Sequence, residues 1–132
     1  MSSDIPLKER TFQIEIEGNL TKHLYTGEFR TKIMNIKERA QKDKHCAFLD
    51  GPNSDKLSPS VLWLHLMISH LRYSLVSFPE WWSTADLGYE LLDSNVVKEV
   101  YEQVMSFEKE WTEAIWGPTE DAEDEPRPTE ES

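Results

Sequence analysis

Apolar and polar residues alternate from Thr11 to Glu17. Phe12, Ile14 and Ile16 fall on one side and Gln13, Glu15 and Glu17 on the other, which predicts a half-buried strand. Gly18-Asn19 supplies turn chemistry, and Leu24 to Met34 resumes with Tyr25, Phe29 and Ile33 in phase across Gly27. The two runs read as a β-hairpin over residues 11–34 with a loop of about six residues. Two strands alone are marginal, so the hairpin needs helices on its apolar face or further strands from a neighbouring subunit.

The period then changes. Asn35 to Asp50 has helical composition, with Ile36, Ala40 and Ala47 roughly on one side, and Gly51-Pro52 stops it. Ser58-Pro59 opens a second helix, because Ser caps free backbone N–H groups and Pro at the first position lacks one. That helix, over residues 59–78, is apolar around most of its circumference, from Val61 and Leu62 to Leu75, Val76 and Phe78, and so should be central. Pro79 ends it. A connector carrying Trp81, Trp82 and Gly88 follows, and Asp93 or Ser94 caps a last helix over residues 94–116. Val96, Val100, Val104, Phe107, Trp111 and Ile115 form its apolar stripe, and Gly117-Pro118 stops it. The expected architecture is α+β: an N-terminal β-hairpin, three main helices and a disordered acidic C-terminal tail. Residues 1–10 form a flexible lead, 11–116 one domain and 117–132 the tail.

Charge alters this picture at two places. The net charge is −11, of which the segment from Gly117 onward carries −6. An acidic chain repels a phosphate backbone, which argues against nucleic acid as a partner. The one basic concentration, Arg30 to Lys44, is interleaved with Glu38 and Asp43 and reads as a solvated face. A single cysteine, Cys46, excludes an internal disulfide and fits a reducing compartment. The N-terminus has no apolar signal region, and the longest apolar run, Val61 to Ile68, is too short for a membrane span and contains His65.

No pattern of catalytic, cofactor-binding or metal-ligating residues emerges. His65 and His70, five positions apart on a helix, point about 140° away from each other. Cys46 lacks the strained turn of a nucleophile, and Glu15 and Glu17 solvate one strand face. Phosphate-loop, dinucleotide and calcium-loop signatures are absent from the sequence. A non-enzymatic protein is expected, and the remaining signal is aromatic. Trp81 and Trp82 either cap the core or meet a partner. Trp111, Ile115 and Trp116 lie in the last turns of a helix about 33 Å long, which overreaches a small domain and favours a partner there.

The order Phe12 to Gly18, Tyr25-Thr26-Gly27-Glu28-Phe29, Pro79-Glu80-Trp81-Trp82, and Gly88 through Leu92, Asp93, Asn95 and Val96 to Tyr101 resembles the tail assembly chaperones of long-tailed bacteriophages. The resemblance spans about Phe12 to Trp111. It implies a non-catalytic protein of the infected host's cytoplasm that binds and solubilises the tape measure protein and aids assembly of the tail tube, with the major tail tube protein as a further partner. The under-supported hairpin and the long last helix also point to a homo-oligomer. Two other classes stay open: a structural virion protein of the head–tail connector or tail-completion type, and an acidic inhibitor mimicking DNA. The client contacts expected are Trp81, Trp82, Trp111, Ile115 and Trp116, with the Trp81-Trp82 pair a structural corner first.

Overall fold

The hairpin consists of β1 (Glu9–Glu17) and β2 (Leu24–Lys32), paired antiparallel with Phe12 opposite Phe29, Ile14 opposite Gly27 and Ile16 opposite Tyr25. These six positions share the inner face, as the alternation predicts, and Phe12 stacks on Phe29 with ring centroids 5.4 Å apart. The structure, a computed structural model, describes residues 8–117. The expected lead and tail therefore lie largely outside the described residues, except that Glu9 and Arg10 belong to β1.

Helix α1 (Ile36–Asp50) starts at Asn35 through a reciprocal capping box with Glu38, which satisfies two otherwise orphan donors. It ends at Gly51, whose φ of 73° suits glycine. Helix α2 (Pro59–Ser74) is capped by the Ser58 side chain on the Val61 amide, as expected. It contributes Met67, Ile68 and Leu71 to the core.

The expected helix to residue 78 is corrected: α2 stops at Ser74, and Leu75–Ser77 form a short strand, β3, on the free edge of β2. Two local preferences explain the switch. Residue Phe78 precedes Pro79, which disfavours helical backbone there, and β-branched Val76 accepts the extended state easily. Thr31 then donates its hydroxyl to the Ser74 carbonyl at 3.3 Å. The sheet thus runs β1-β2-β3 and draws its third strand from its own chain. A neighbouring subunit is not needed to support the hairpin.

A single turn of helix, α3 (Glu80–Thr84), presents Trp81 and Trp82 to the inner face of the hairpin. Helix α4 (Ser94–Trp116) crosses behind the sheet and α2, burying Val96, Val97, Val100, Val104 and Phe107. Its stripe follows the predicted spacing for three turns and then leaves the core. Arg10 lies over the Phe107 ring at 5.1 Å and pairs with Glu110 at 2.7 Å, closing the edge of β1 against α4. No helix among the described residues is long and apolar enough to cross a membrane.

Gly88 explains how the connector turns back on itself. Its φ is 91°, and an added Cβ would stand 2.6 Å from the Trp82 ring. Both conditions require glycine: a side chain would be strained by the backbone and would collide with the largest core residue. Gly51→Ala meets only the first condition, since nothing lies within 4 Å of its added Cβ. Gly88→Ala should therefore cost about 2–4 kcal/mol in urea unfolding, against about 1 kcal/mol for Gly51→Ala. Equal losses would mean that the Trp82 ring does not press on this turn.

Candidate functional site

The residues expected to meet a partner separate into two groups. Trp82 has no exposed surface. Its ring stands edge-on to Phe29 at 5.4 Å and to Trp81 at 6.1 Å, geometries favoured by aromatic quadrupoles. A client contact by Trp82 is therefore corrected: the residue is core. Trp81 is half-buried, packs against Tyr25 and Phe29 at 5.1 and 5.9 Å, and donates its indole N–H to the Thr26 carbonyl at 2.9 Å. Gly27 makes this fit possible, because a side chain there would run into the Pro79 ring. The Tyr25, Gly27 and Phe29 element is thus the seat of the Pro79-Glu80-Trp81-Trp82 corner.

Asp93 ties down the other end of the hairpin. It occupies the N-cap position of α4, yet its side chain makes no capping bond, so its expected capping role is also corrected. The carboxylate instead accepts four hydrogen bonds, three from the β1–β2 loop and one from Tyr25 on β2. The Leu20 amide donates at 2.7 Å, the Thr21 amide at 2.8 Å, the Thr21 hydroxyl at 2.5 Å and the Tyr25 hydroxyl at 2.8 Å. Two residues on, Asn95 donates to the Glu17 carbonyl and accepts from the Asn19 amide, both at 3.0 Å. Asp93 is fully buried. Burial alone would raise its pKa, but the Thr21, Tyr25 and Leu20 donors outweigh it and hold the carboxyl well below the ordinary carboxylate range. Burial raises Tyr25, as does its bond to Asp93, which keeps the phenol a donor.

The far end of α4 differs. No described residue after Phe107 is buried, Ile115 is 43% exposed and Trp116 79% exposed. Trp111 is half-buried beside a cavity of about 230 Å³, and its indole N–H finds no acceptor among the described residues. A second, apolar recess of about 250 Å³ lies between α2 and the turn before α4, lined by Val61, Leu64, Ile68, Leu91 and Val97. Trp63, 49% exposed, stands edge-on to Tyr101 at 5.9 Å. Sequence reasoning passed over Trp63, Tyr89 and Leu92 as surface residues, because an all-round apolar helix and an irregular turn carry no phase to mark their exposed side.

The histidines are also partnered in ways the sequence conceals. His65 Nδ1 donates to Asp50 at 2.8 Å while its Nε2 accepts from the Tyr89 hydroxyl at 3.0 Å, and His70 donates to Glu108 at 2.7 Å. Each links α2 to another segment. His45 lies 2.8 Å from Ser69, but Ser69 is fully buried and no substrate reaches it. Burial and the nearby Asp50 push the Cys46 thiol up, away from the thiolate that a nucleophile needs. No group of three or more potential metal ligands forms among the described residues.

Comparison of the chain with known protein families, curated proteins and solved structures finds no match.

The Asp93 arrangement has a defined pH signature. A depressed folded pKa contributes stability that is complete above the unfolded value, near 3.9, and is lost as pH falls through the folded value. The wild-type melting temperature should therefore drop on acidification below about pH 4 more steeply than that of Asp93→Asn, which starts lower and has no carboxyl to titrate there. Parallel acid limbs for the two proteins would remove Asp93 as the cause.

Proposed function

We propose that this chain is a non-catalytic binding protein, a tail assembly chaperone of the long-tailed phage type, that holds amphipathic helical segments of the tape measure protein in the host cytoplasm. The observation that carries this reading is the mismatch between the apolar stripe of α4 and the core it serves. The stripe continues through Trp111 and Ile115, yet burial ends at Phe107, which leaves Ile115 and Trp116 presented to solvent at one end of the molecule. Large exposed apolar residues grouped at one pole are what a protein-binding surface requires.

The residue order that resembles the tail assembly chaperones supports the same reading. Its most specific parts, Trp81-Trp82 and Asp93 with Asn95, act here as folding devices, so the client contacts are assigned to the α4 end and to the recess beside Val61 and Leu91. Apolar side chains of a helical client fill such a recess, and a net charge of −11 keeps the loaded complexes from associating with one another.

Co-expression with a tape measure protein provides the test. Wild type should carry the client into the soluble fraction, whereas Ile115→Ser with Trp116→Ser should lose most of that rescue. The same double variant should unfold within about 0.5 kcal/mol of wild type per site, since both side chains lie outside the core. Insolubility of the client with wild type would sink the chaperone reading. Equal rescue by the variant would move the contact away from α4.

A further inference from the structure

The cavity beside Trp111 is lined on one side by cations of α1, in a chain whose overall charge is strongly negative. Residues 30–44 carry six Lys and Arg against two acids, so the rest of the chain has a net charge of −15. Arg39 and Lys42 stand on the cavity wall together with His70, Glu108, Trp111 and Thr112. Their pairing is incomplete. Lys42 approaches Asp43 at 3.8 Å, Glu108 is engaged by His70 at 2.7 Å, and no ion pair joins Arg39 to another described residue. The Trp111 indole N–H is buried without an acceptor among the described residues. The exposed Arg39 guanidinium, beside a buried N–H donor without an acceptor, suits an acceptor with negative charge, and the carboxylate is the side chain that supplies both.

Such carboxylates follow directly in the chain. Residues 118–132 carry seven acids and one arginine, and five of the acids fall between Glu120 and Glu125. The segment begins two positions after Trp116, the last residue of α4, and the intervening Gly117 has φ 87°. The return path is short. Trp111 stands six residues before Gly117, about 9 Å along the helix, while the eight residues 118–125 span up to about 26 Å when extended.

We infer that the acidic segment 118–132 docks in cis on the basic wall of this cavity, placing a carboxylate against Arg39 and Trp111. A tether this short gives the segment an effective concentration on the order of millimolar at the wall, which a free anion or a second molecule reaches only in concentrated solution. Glu108 opposes an incoming acid, but its bond to His70 offsets part of that repulsion, and Lys42 and Arg39 outnumber it. The basic run on α1 is then a complementary surface and not only a solvated face. This docking is independent of whether the exposed end of α4 holds a client.

The indole resonances of the five tryptophans in a proton–nitrogen correlation spectrum of the full chain test it. Raising salt from about 0.05 to about 0.5 M should shift the Trp111 resonance in wild type, because screening weakens an accessible ion contact. A variant with Glu120→Gln, Asp121→Asn, Glu123→Gln, Asp124→Asn and Glu125→Gln should begin near the high-salt position and respond little to salt. Arg39→Gln with Lys42→Gln should do the same, while the core residue Trp82 stays in place in every sample. If the basic-wall variant disturbs Trp82, the acidic-segment variant decides alone, since its substitutions lie outside the described residues 8–117. A Trp111 resonance indifferent to neutralising the segment overturns the docking. So does a Trp111 shift that grows with protein concentration, which would place the segment on another copy.

Discussion

One carboxylate fixes how the two halves of the fold meet. Asp93 reaches back 68 to 73 residues to take three donors from the β1–β2 loop and a fourth from Tyr25 on β2, and Asn95 adds bonds to Glu17 and Asn19 at the start of the same turn. Loop amides that are held in this way cannot drift, so the hairpin enters the core in one register. The site leaves no room for alternatives: a side chain at Gly18 would collide with the Asp93 carboxyl group. The cost of burying a charge is offset here because four short hydrogen bonds are aimed at the same group.

With the loop fixed, the aromatic corner follows. Phe29 sits between Phe12 and Trp82, and Trp81 closes the edge against Tyr25 and the Thr26 carbonyl. Pro79 opens the α3 turn that carries this corner, and Gly88 bends the chain around the Trp82 ring. The connector between α2 and α4 is therefore an internal wedge and not a surface linker. Its two indoles stabilise the hairpin that receives them, which explains why adjacent tryptophans do not by themselves mark a binding surface.

How much of this was legible in the sequence depended on the range of each interaction. The hairpin, α1 and α4 rest on periods and caps contained within a few residues, and their boundaries fall close to those expected from Phe12, Ile14 and Ile16, from Gly51-Pro52 and from Gly117-Pro118. The last four residues of the expected second helix, about one turn, failed because its apolar run satisfies strand as well as helix, and pairing with Arg30 and Thr31 decides between them. Asp93 was misassigned for a related reason. An acid before a helix is a good cap in isolation, and only the folded hairpin reveals four competing donors. Trp82 and Trp116 are chemically alike in the sequence, and nothing short of the hairpin's position distinguishes the buried one from the exposed one.

The two ends of α4 consequently have different physical characters. Its first three turns are clamped by Asp93, by Asn95 and by valines without exposed surface, so opening them means breaking the core. Beyond Phe107 the helix has only half-buried or exposed residues, and such a segment belongs to the low-stability end of a fold. A partner that engages Ile115 and Trp116 can order, bend or fray this end without disturbing the hairpin or the Trp82 corner. The basic wall of α1 lies beside the half-buried Trp111, midway between the clamped and the open end, so charge on that wall acts where the helix changes character. A displacement of the open end thus has a short mechanical path to the cavity and a long one to the core, and the fold tolerates adjustment at one end because the other is held by charge-assisted hydrogen bonds.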